Sequence, residues 1–218
     1  MFTAPRTMRA VVLPEPGPAT NFDYRICDTP QLSDYSGRAT EAVRVRVHSC
    51  AVAFRDVIDR TGGFPFMQQP TVLGHEFAGV VESVGDDVEH LVPGDRVVSL
   101  HWAQDLGWPA PFDSKAAMDT FLGLTCNGGY AEYCVTHHSA FVKIPASCSN
   151  WTPNEAASIV STFGTVYQGV MKTAGLARDV HGNEAERRRV VVTGAGGGVG
   201  SAASTFQRAL ACISALRF

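Results

Sequence analysis

The chain has 218 residues, 45% of them hydrophobic, with 18 basic and 21 acidic side chains and a formal net charge of −3. That length supports a sizeable core and one large or two small domains. The near-neutral balance, with no basic cluster longer than Arg187-Arg188-Arg189, argues against a nucleic-acid or anionic-membrane surface. No apolar run approaches the roughly 18 residues of a membrane span, and Met1–Ala10 lacks the apolar core of a signal peptide. Six cysteines stand without a C-x-x-C pair, so free, mostly buried thiols in a reducing compartment, the cytoplasm, are expected.

From Met8 to about Pro145 the chain reads as short strands punctuated by Gly and Pro. Met8–Leu13 comes first, then Val43-Arg44-Val45-Arg46-Val47-His48, whose strict alternation is the clearest period of two. Phe77–Val84 and Arg96–Leu100 follow, joined by a turn at Pro93-Gly94-Asp95, and then Tyr130–Val135 and Phe141–Ile144. This spacing predicts a barrel-like antiparallel domain over residues 1–150. At Thr152-Pro153-Asn154-Glu155 the pattern changes: Thr caps a helix, Pro takes its first turn and Glu reaches back to the cap amide. The helix is expected through Ala156–Val160, broken near Gly164 and resumed over Tyr167–Thr173. After a charged connection from Leu176 to Arg189, a strand at Val190-Val191-Val192, a glycine turn and a helix over Ser201–Ala211 open a βαβ unit in residues 151–218.

The glycine turn carries the first chemical signal. Backbone amides at a helix start can face a pyrophosphate, and glycine is needed where a side chain would block the phosphate or the helix–strand contact. The strict G-x-G-x-x-G pattern is replaced by Ala195-x-Gly197-x-x-Gly200, preceded by Gly194. A tight turn in any α/β protein is the plainer alternative.

Upstream stand Phe54-Arg55-Asp56-Val57-Ile58, Thr71-Val72-Leu73-Gly74-His75-Glu76-Phe77-Ala78-Gly79, Pro93-Gly94-Asp95-Arg96-Val97 and Gly128-Gly129-Tyr130-Ala131-Glu132-Tyr133. In this order, with the glycine turn, they resemble the medium-chain dehydrogenase/reductase family across nearly the whole chain. The resemblance implies an α+β and α/β architecture: a GroES-like β-barrel domain followed by a Rossmann domain, a doubly wound parallel sheet, here incomplete. It also implies hydride transfer with NADPH, or NADH in its place. Zinc alcohol dehydrogenases of the family hold a catalytic zinc with Cys, His and Cys. Here His75 remains, while the cysteine positions fall at Ala53 and Ser161, so no metal is expected. The family's four-cysteine structural-zinc lobe corresponds to His101–Asn127, which keeps only Cys126; Trp102 and Trp108 either close over the cleft or pack as a surface loop.

What remains resembles the zinc-independent branch: quinone oxidoreductases, enoyl reductases and acryloyl-CoA reductases. That implies catalytic roles for Asp56, His75 and Glu76 on the substrate side and for Tyr167 near the cleft. It places Thr165 near the nicotinamide and Gly194, Ala195, Gly197, Gly198, Val199 and Gly200 on the pyrophosphate. Asp56 as a helix cap, and His75 with Glu76 as a turn between strands, are the structural alternatives. Arg55 is read as reaching solvent in preference to binding an anionic group. A complete six-stranded Rossmann domain needs on the order of 150 residues, the second strand has no more than Cys212–Leu216 to form it, and no acidic ribose partner follows the turn. A C-terminally truncated chain is therefore expected. The activity expected of the lineage is NADPH-dependent reduction of an enoyl, quinone or other activated carbonyl compound. The rivals are an alcohol dehydrogenase with an altered metal site and an inactive GroES-like binding remnant. A small-molecule substrate is expected, with no nucleic-acid or membrane partner and a homodimer conceivable only for a longer form.

Overall fold

The computed structural model describes residues 4–64, 66–101, 121–173 and 191–215. Packing divides the chain into two units, Met1–Ser158 and Ile159–Phe218.

The first unit is built on β3 (Ala42–Cys50), whose alternation places Val43 and Val45 in the core while Arg46 points outward. It pairs antiparallel with β5 (Phe77–Val84) on one side and β7 (Tyr133–His137) on the other. With β6 (Arg96–Ser99) and β8 (Phe141–Lys143) the order is β7-β3-β5-β6-β8. Register shifts at Arg44/Val45 and Val47/Ser49 bend β3, as bulges do, and curl the sheet. Phe77, Val81, Leu91, Val97, Leu122 and Phe141 fill its concave side. A smaller sheet, β2-β1-β4, joins β1 (Thr7–Leu13), β2 (Asp23–Asp28) and β4 (Thr71–Val72). The partly buried Arg44–Glu82 pair, 2.6 Å apart, ties the middle of β3 to β5, and Arg44 also donates to the Pro30 carbonyl at 3.1 Å.

The strands expected from alternation are present, with three differences, one of them the two-residue β4, which was not anticipated. The seventh begins at Tyr133 and not Tyr130, because the amides of Gly128, Gly129 and Tyr130 are spent on the carbonyls of Val72, Gly74 and Leu73. β2 was not anticipated: as an edge strand it buries no residue fully and so lacks the alternation that marks β3.

Five short helical segments of the described chain matter to the site. α1 (Phe54–Arg60) follows β3 directly. α2 (Pro153–Ala157) starts as expected: Thr152 Oγ1 accepts from Glu155 N at 3.2 Å and Glu155 Oε2 accepts from Thr152 N at 2.8 Å. It packs on β3, β5 and β6 and so belongs to the first unit. In the second unit lie α3 (Val160–Val166), a π-helical turn over Tyr167–Thr173, and α4 (Gly198–Ala215), with α3 packed on α4. The break expected near Gly164 falls instead at Ser158, whose hydroxyl bonds the Glu155 carbonyl at 2.9 Å and closes α2; Gly164 continues the helix.

Two strand expectations fail. Val190 lies outside the described residues, and Val191 and Val192 are not in a strand; Val191 is 87% exposed. The expected second strand at 212–216 is helical through Ala215. Among the described residues of this unit no strand offers a neighbour, and an isolated strand has no partner for its amides. An Ala- and Ser-rich run without Gly or Pro after Gly200 then favours continued helix. The lobe with Trp102 and Trp108 also lies outside the described residues.

Candidate active site

The two strongest sequence motifs meet backbone to backbone. Gly128 N donates to Val72 O at 2.7 Å, Gly129 N to Gly74 O at 2.6 Å, and Tyr130 N to Leu73 O at 3.0 Å. The approach is too close for side chains: a Cβ on Gly128 would stand 2.2 Å from Gly74 O, and Gly74 itself has φ +92. This clamp presents His75 and Glu76, 2% and 3% exposed, at the start of β5.

α1 meets them from the other side. Asp56, at the third position of the helix, reaches back so that Oδ2 accepts from Ala53 N at 2.9 Å, capping the first turn. Its Oδ1 accepts from Gly74 N at 3.3 Å and lies 3.2 Å from His75 Nδ1. The capping role and the site role are thus one arrangement. Burial opposes ionisation of Asp56, but His75 and the Ala53 amide together outweigh it and hold the carboxyl below its usual range. With Nδ1 engaged by Asp56, Nε2 becomes the nitrogen through which the neutral ring can accept a proton. The His101 ring sits edge-on to His75 at 4.7 Å, and burial with the neighbouring His75 and Arg55 lowers its pKa to about 3. The Tyr130 hydroxyl is enclosed nearby; it makes no hydrogen bond of good geometry, and burial and the Asp56 charge push its pKa up.

One turn further along α1, Asp59 is 1% exposed, and burial raises its carboxyl to about 6 against the attraction of Arg55. Arg55 Nε approaches Asp59 Oδ2 at 3.3 Å, and its guanidinium lies 5.3 Å from the Phe121 ring centroid and 6.0 Å from that of Phe64. This corrects the reading of Arg55 as solvent-facing: burial by these aromatic walls, with Asp59 as counter-charge, holds it inside. Asp59 was not singled out from the sequence. The i, i+4 spacing of Arg55 and Asp59 was the available signal.

Among the described residues, ligand atoms of Asp56, Asp59 and His75 come within 4.8 Å of one another. Two carboxylates and an imidazole make a harder donor set than Cys, His and Cys. An ion between them would displace the dyad's proton and face the Arg55 guanidinium beside Asp59. The thiolate positions are not recovered: Ala53 is the N-cap of α1, and Ser161 lies in α3. Of the family's Cys, His and Cys set only the histidine is therefore present, accompanied by two carboxylates at ligand distance.

The second unit carries the remaining candidates. Gly194 has φ +66 and its carbonyl accepts from Gly197 N at 3.0 Å; a Cβ on Gly200 would stand 2.1 Å from that carbonyl. Gly194, Gly196 and Ala195 leave the turn open, and the first amides of α4, at Gly198, Val199 and Gly200, precede any intrahelical acceptor. This cradle fits a phosphate group. Thr165 Oγ1 bonds back to Ser161 O at 2.6 Å, and Tyr167, 47% exposed, packs at 6.4 Å from the Phe206 ring. Asp56 and His75 thus come together in the first unit, with Glu76 buried next to His75 in the chain, and Thr165, Tyr167 and the glycine turn belong to the second.

Residues 39–146 match the alcohol dehydrogenase GroES-like domain. An acryloyl-coenzyme A reductase of Sulfurisphaera tokodaii is 30% identical over 207 residues, covering 93% of this chain and 56% of the relative. The crystal structure of AibC superposes with TM-score 0.74 at 30% identity, over 93% of this chain and 53% of that one. A thermostable alcohol dehydrogenase from Pyrobaculum aerophilum, solved with cobalt and zinc, gives TM-score 0.71 at 25% identity, over 94% and 56%. The chain belongs to the medium-chain dehydrogenase/reductase superfamily. It spans about half the length of the curated relatives it matches.

Proposed function

We propose that the chain serves zinc-independent, NADPH-dependent reduction of an activated alkene or quinone, the acceptor being an enoyl, quinone or other conjugated carbonyl compound. The observation that carries this reading is an Asp56–His75 dyad kept intact where the thiolate positions are Ala53 and Ser161. When bound, the reduced nicotinamide supplies a hydride to the electrophilic carbon, a step that needs no metal because the adjacent carbonyl already polarises the alkene. His75 delivers the balancing proton from Nε2, with Asp56 fixing the ring and stabilising its cationic form. Residues 194–200 hold the dinucleotide phosphates, with Thr165 and Tyr167 on the same unit, and Glu76 borders the substrate. All five described cysteines are free, which agrees with work in the reducing cytoplasm.

The test is NADPH oxidation followed at 340 nm with crotonyl-CoA, methyl vinyl ketone and a benzoquinone, alongside metal analysis of the purified chain. Turnover by metal-free protein is the expected result. An alcohol dehydrogenase with an altered metal site is the second reading, favoured by the closeness of Asp56, Asp59 and His75. Stoichiometric metal together with NAD-linked alcohol oxidation would replace the first reading by the second.

A further inference from the structure

Helix α1 is turned inside out. Phe54, Val57 and Ile58 have the i, i+3, i+4 spacing of a buried face, yet they are 77%, 39% and 40% exposed, while Asp56 and Asp59 are 4% and 1% exposed. Arg55 is drawn in with them, its side chain 20% exposed. Burying a cation and two carboxylates on a two-turn helix opposes folding unless each is well paired. The Arg55–Asp59 pair is not. Neither Nε nor Nη2 of Arg55, and neither oxygen of Asp59, makes a hydrogen bond of good geometry, although Nε and Oδ2 form an ion pair 3.3 Å apart. Nε and Nη2 form the side-on fork with which arginine grips a planar oxyanion. A pair serving only to staple α1 would close that fork on the carboxylate. Instead four facing polar atoms are enclosed in a loose pair whose fork is not closed on the carboxylate, beside the Phe64 and Phe121 rings, with Asp59 within reach of the Asp56–His75 dyad.

We infer that Arg55 is a catalytic residue whose Nε/Nη2 fork receives the carbonyl oxygen of the acceptor, and that the substrate class is an enone or enoyl thioester. This rests on the reductase reading above. In that reaction the hydride bonds to Cβ, the alkene electron pair shifts through Cα to the carbonyl oxygen, and Cα then takes a proton from His75. The acceptor is reduced by two electrons and the dinucleotide is oxidised. Negative charge gathers on the carbonyl oxygen between the two steps, and a guanidinium held in a desolvated wall stabilises it more than water would. Asp59 keeps the empty site near neutral and aims the fork; it acts through Arg55 as a positioning residue.

Two readouts separate this inference from the reductase reading. Butyrate, a carboxylate stand-in for the oxyanion, is titrated into the full chain without cofactor while the Arg Nε–H signals are followed by NMR. Arg55→Met is expected to weaken butyrate binding about tenfold or more, and Arg55→Lys to keep part of it as a point charge. Asp59→Asn, by removing the competing carboxylate, is expected to tighten it severalfold, a gain that misfolding cannot imitate. In the NADPH assay Arg55→Met is expected to lose about a hundredfold in kcat, the scale for one oxyanion donor, with the KM for NADPH unchanged. Butyrate affinity indifferent to Arg55→Met, or Asp59→Asn weakening it, overturns the assignment. An unchanged kcat in Arg55→Met also overturns it while leaving the reductase reading intact. Arg55-dependent butyrate binding by a chain that oxidises no NADPH supports the oxyanion fork and refutes the reductase.

Discussion

Replacing Asp56 tests whether the site and the fold share one set of bonds. Its carboxylate accepts from Ala53 N at 2.9 Å, Gly74 N at 3.3 Å and His75 Nδ1 at 3.2 Å, the last two buried and the first partly so. Asp56→Ala leaves two buried donors and one half-buried donor without an acceptor, each worth about 1–3 kcal/mol, and the long Gly74 bond and the half-buried Ala53 amide belong at the low end. Allowing for partial relaxation and entry of water, the loss comes to about 3 kcal/mol. Asp56→Asn keeps one oxygen for Gly74 and His75 but turns an NH2 toward the Ala53 amide, so it costs about 1.5–2 kcal/mol. The pH dependence has a definite sign. Because the folded carboxyl lies below its unfolded value of about 3.9, its contribution is fully present above that value and fades as pH falls through the folded pKa. Urea denaturation of wild type and Asp56→Asn should therefore give a gap that narrows below about pH 4. An Asp56→Ala variant within about 0.5 kcal/mol of wild type, or a gap that widens toward acid, refutes the reasoning.

Gly128→Ala places a Cβ 2.2 Å from Gly74 O and 2.7 Å from Leu73 O, both backbone atoms, so a loss of about 3 kcal/mol or more is expected by thermal melting. Gly164→Ala meets nothing within 4 Å and lies within α3; it should raise stability by about 0.5–1 kcal/mol. Arg44→Met leaves Glu82, 11% exposed, with little beyond the Ala4 amide at 2.8 Å, and should cost about 3 kcal/mol; the double replacement Arg44→Met/Glu82→Met should recover much of it in denaturant titrations. Burial pushes the thiols of Cys50 and Cys134 well up and that of Cys126 up to about 12, so mass-resolved alkylation at pH 8 should spare all three in the native chain and label them once urea unfolds it.

The sequence was most legible where one force decides the structure. β3 and β5 could be read because alternation reports which face is buried, and the start of α2 because Thr152 and Glu155 satisfy each other's amides locally. Gly74, Gly128 and Gly129 were legible only as part of the resemblance, which put Asp56 and His75 on the substrate side; the close backbone approach that requires them is seen in the structure. β2 was invisible because an edge strand that buries nothing need not alternate. The strand at Val191–Val192 failed for the opposite reason: an apolar run has β propensity, but pairing is non-local and the described residues contain no partner for it.

α1 explains why the rest of the site escaped sequence reading. Its apolar residues carry the spacing of a core-facing stripe, and the rule that such a stripe turns inward would bury Phe54, Val57 and Ile58 and expose Arg55, Asp56 and Asp59. The helix does the reverse because its orientation is set before its amphipathicity can act. β3 delivers the chain at Cys50, the Ala51 amide is held by the Glu76 carbonyl at 2.8 Å, and Asp56 is then bound to both Ala53 and Gly74. Those bonds fix the rotation of a seven-residue helix too short to turn its apolar side inward without breaking them. A local rule overridden at this cost, with charge buried and apolar surface left in water, is expected where a site and not a core determines the packing. The inversion therefore locates the chemistry independently of any relative: it brings Asp56 and Asp59 together with His75 and holds Arg55 beside Asp59, whatever acceptor the guanidinium receives.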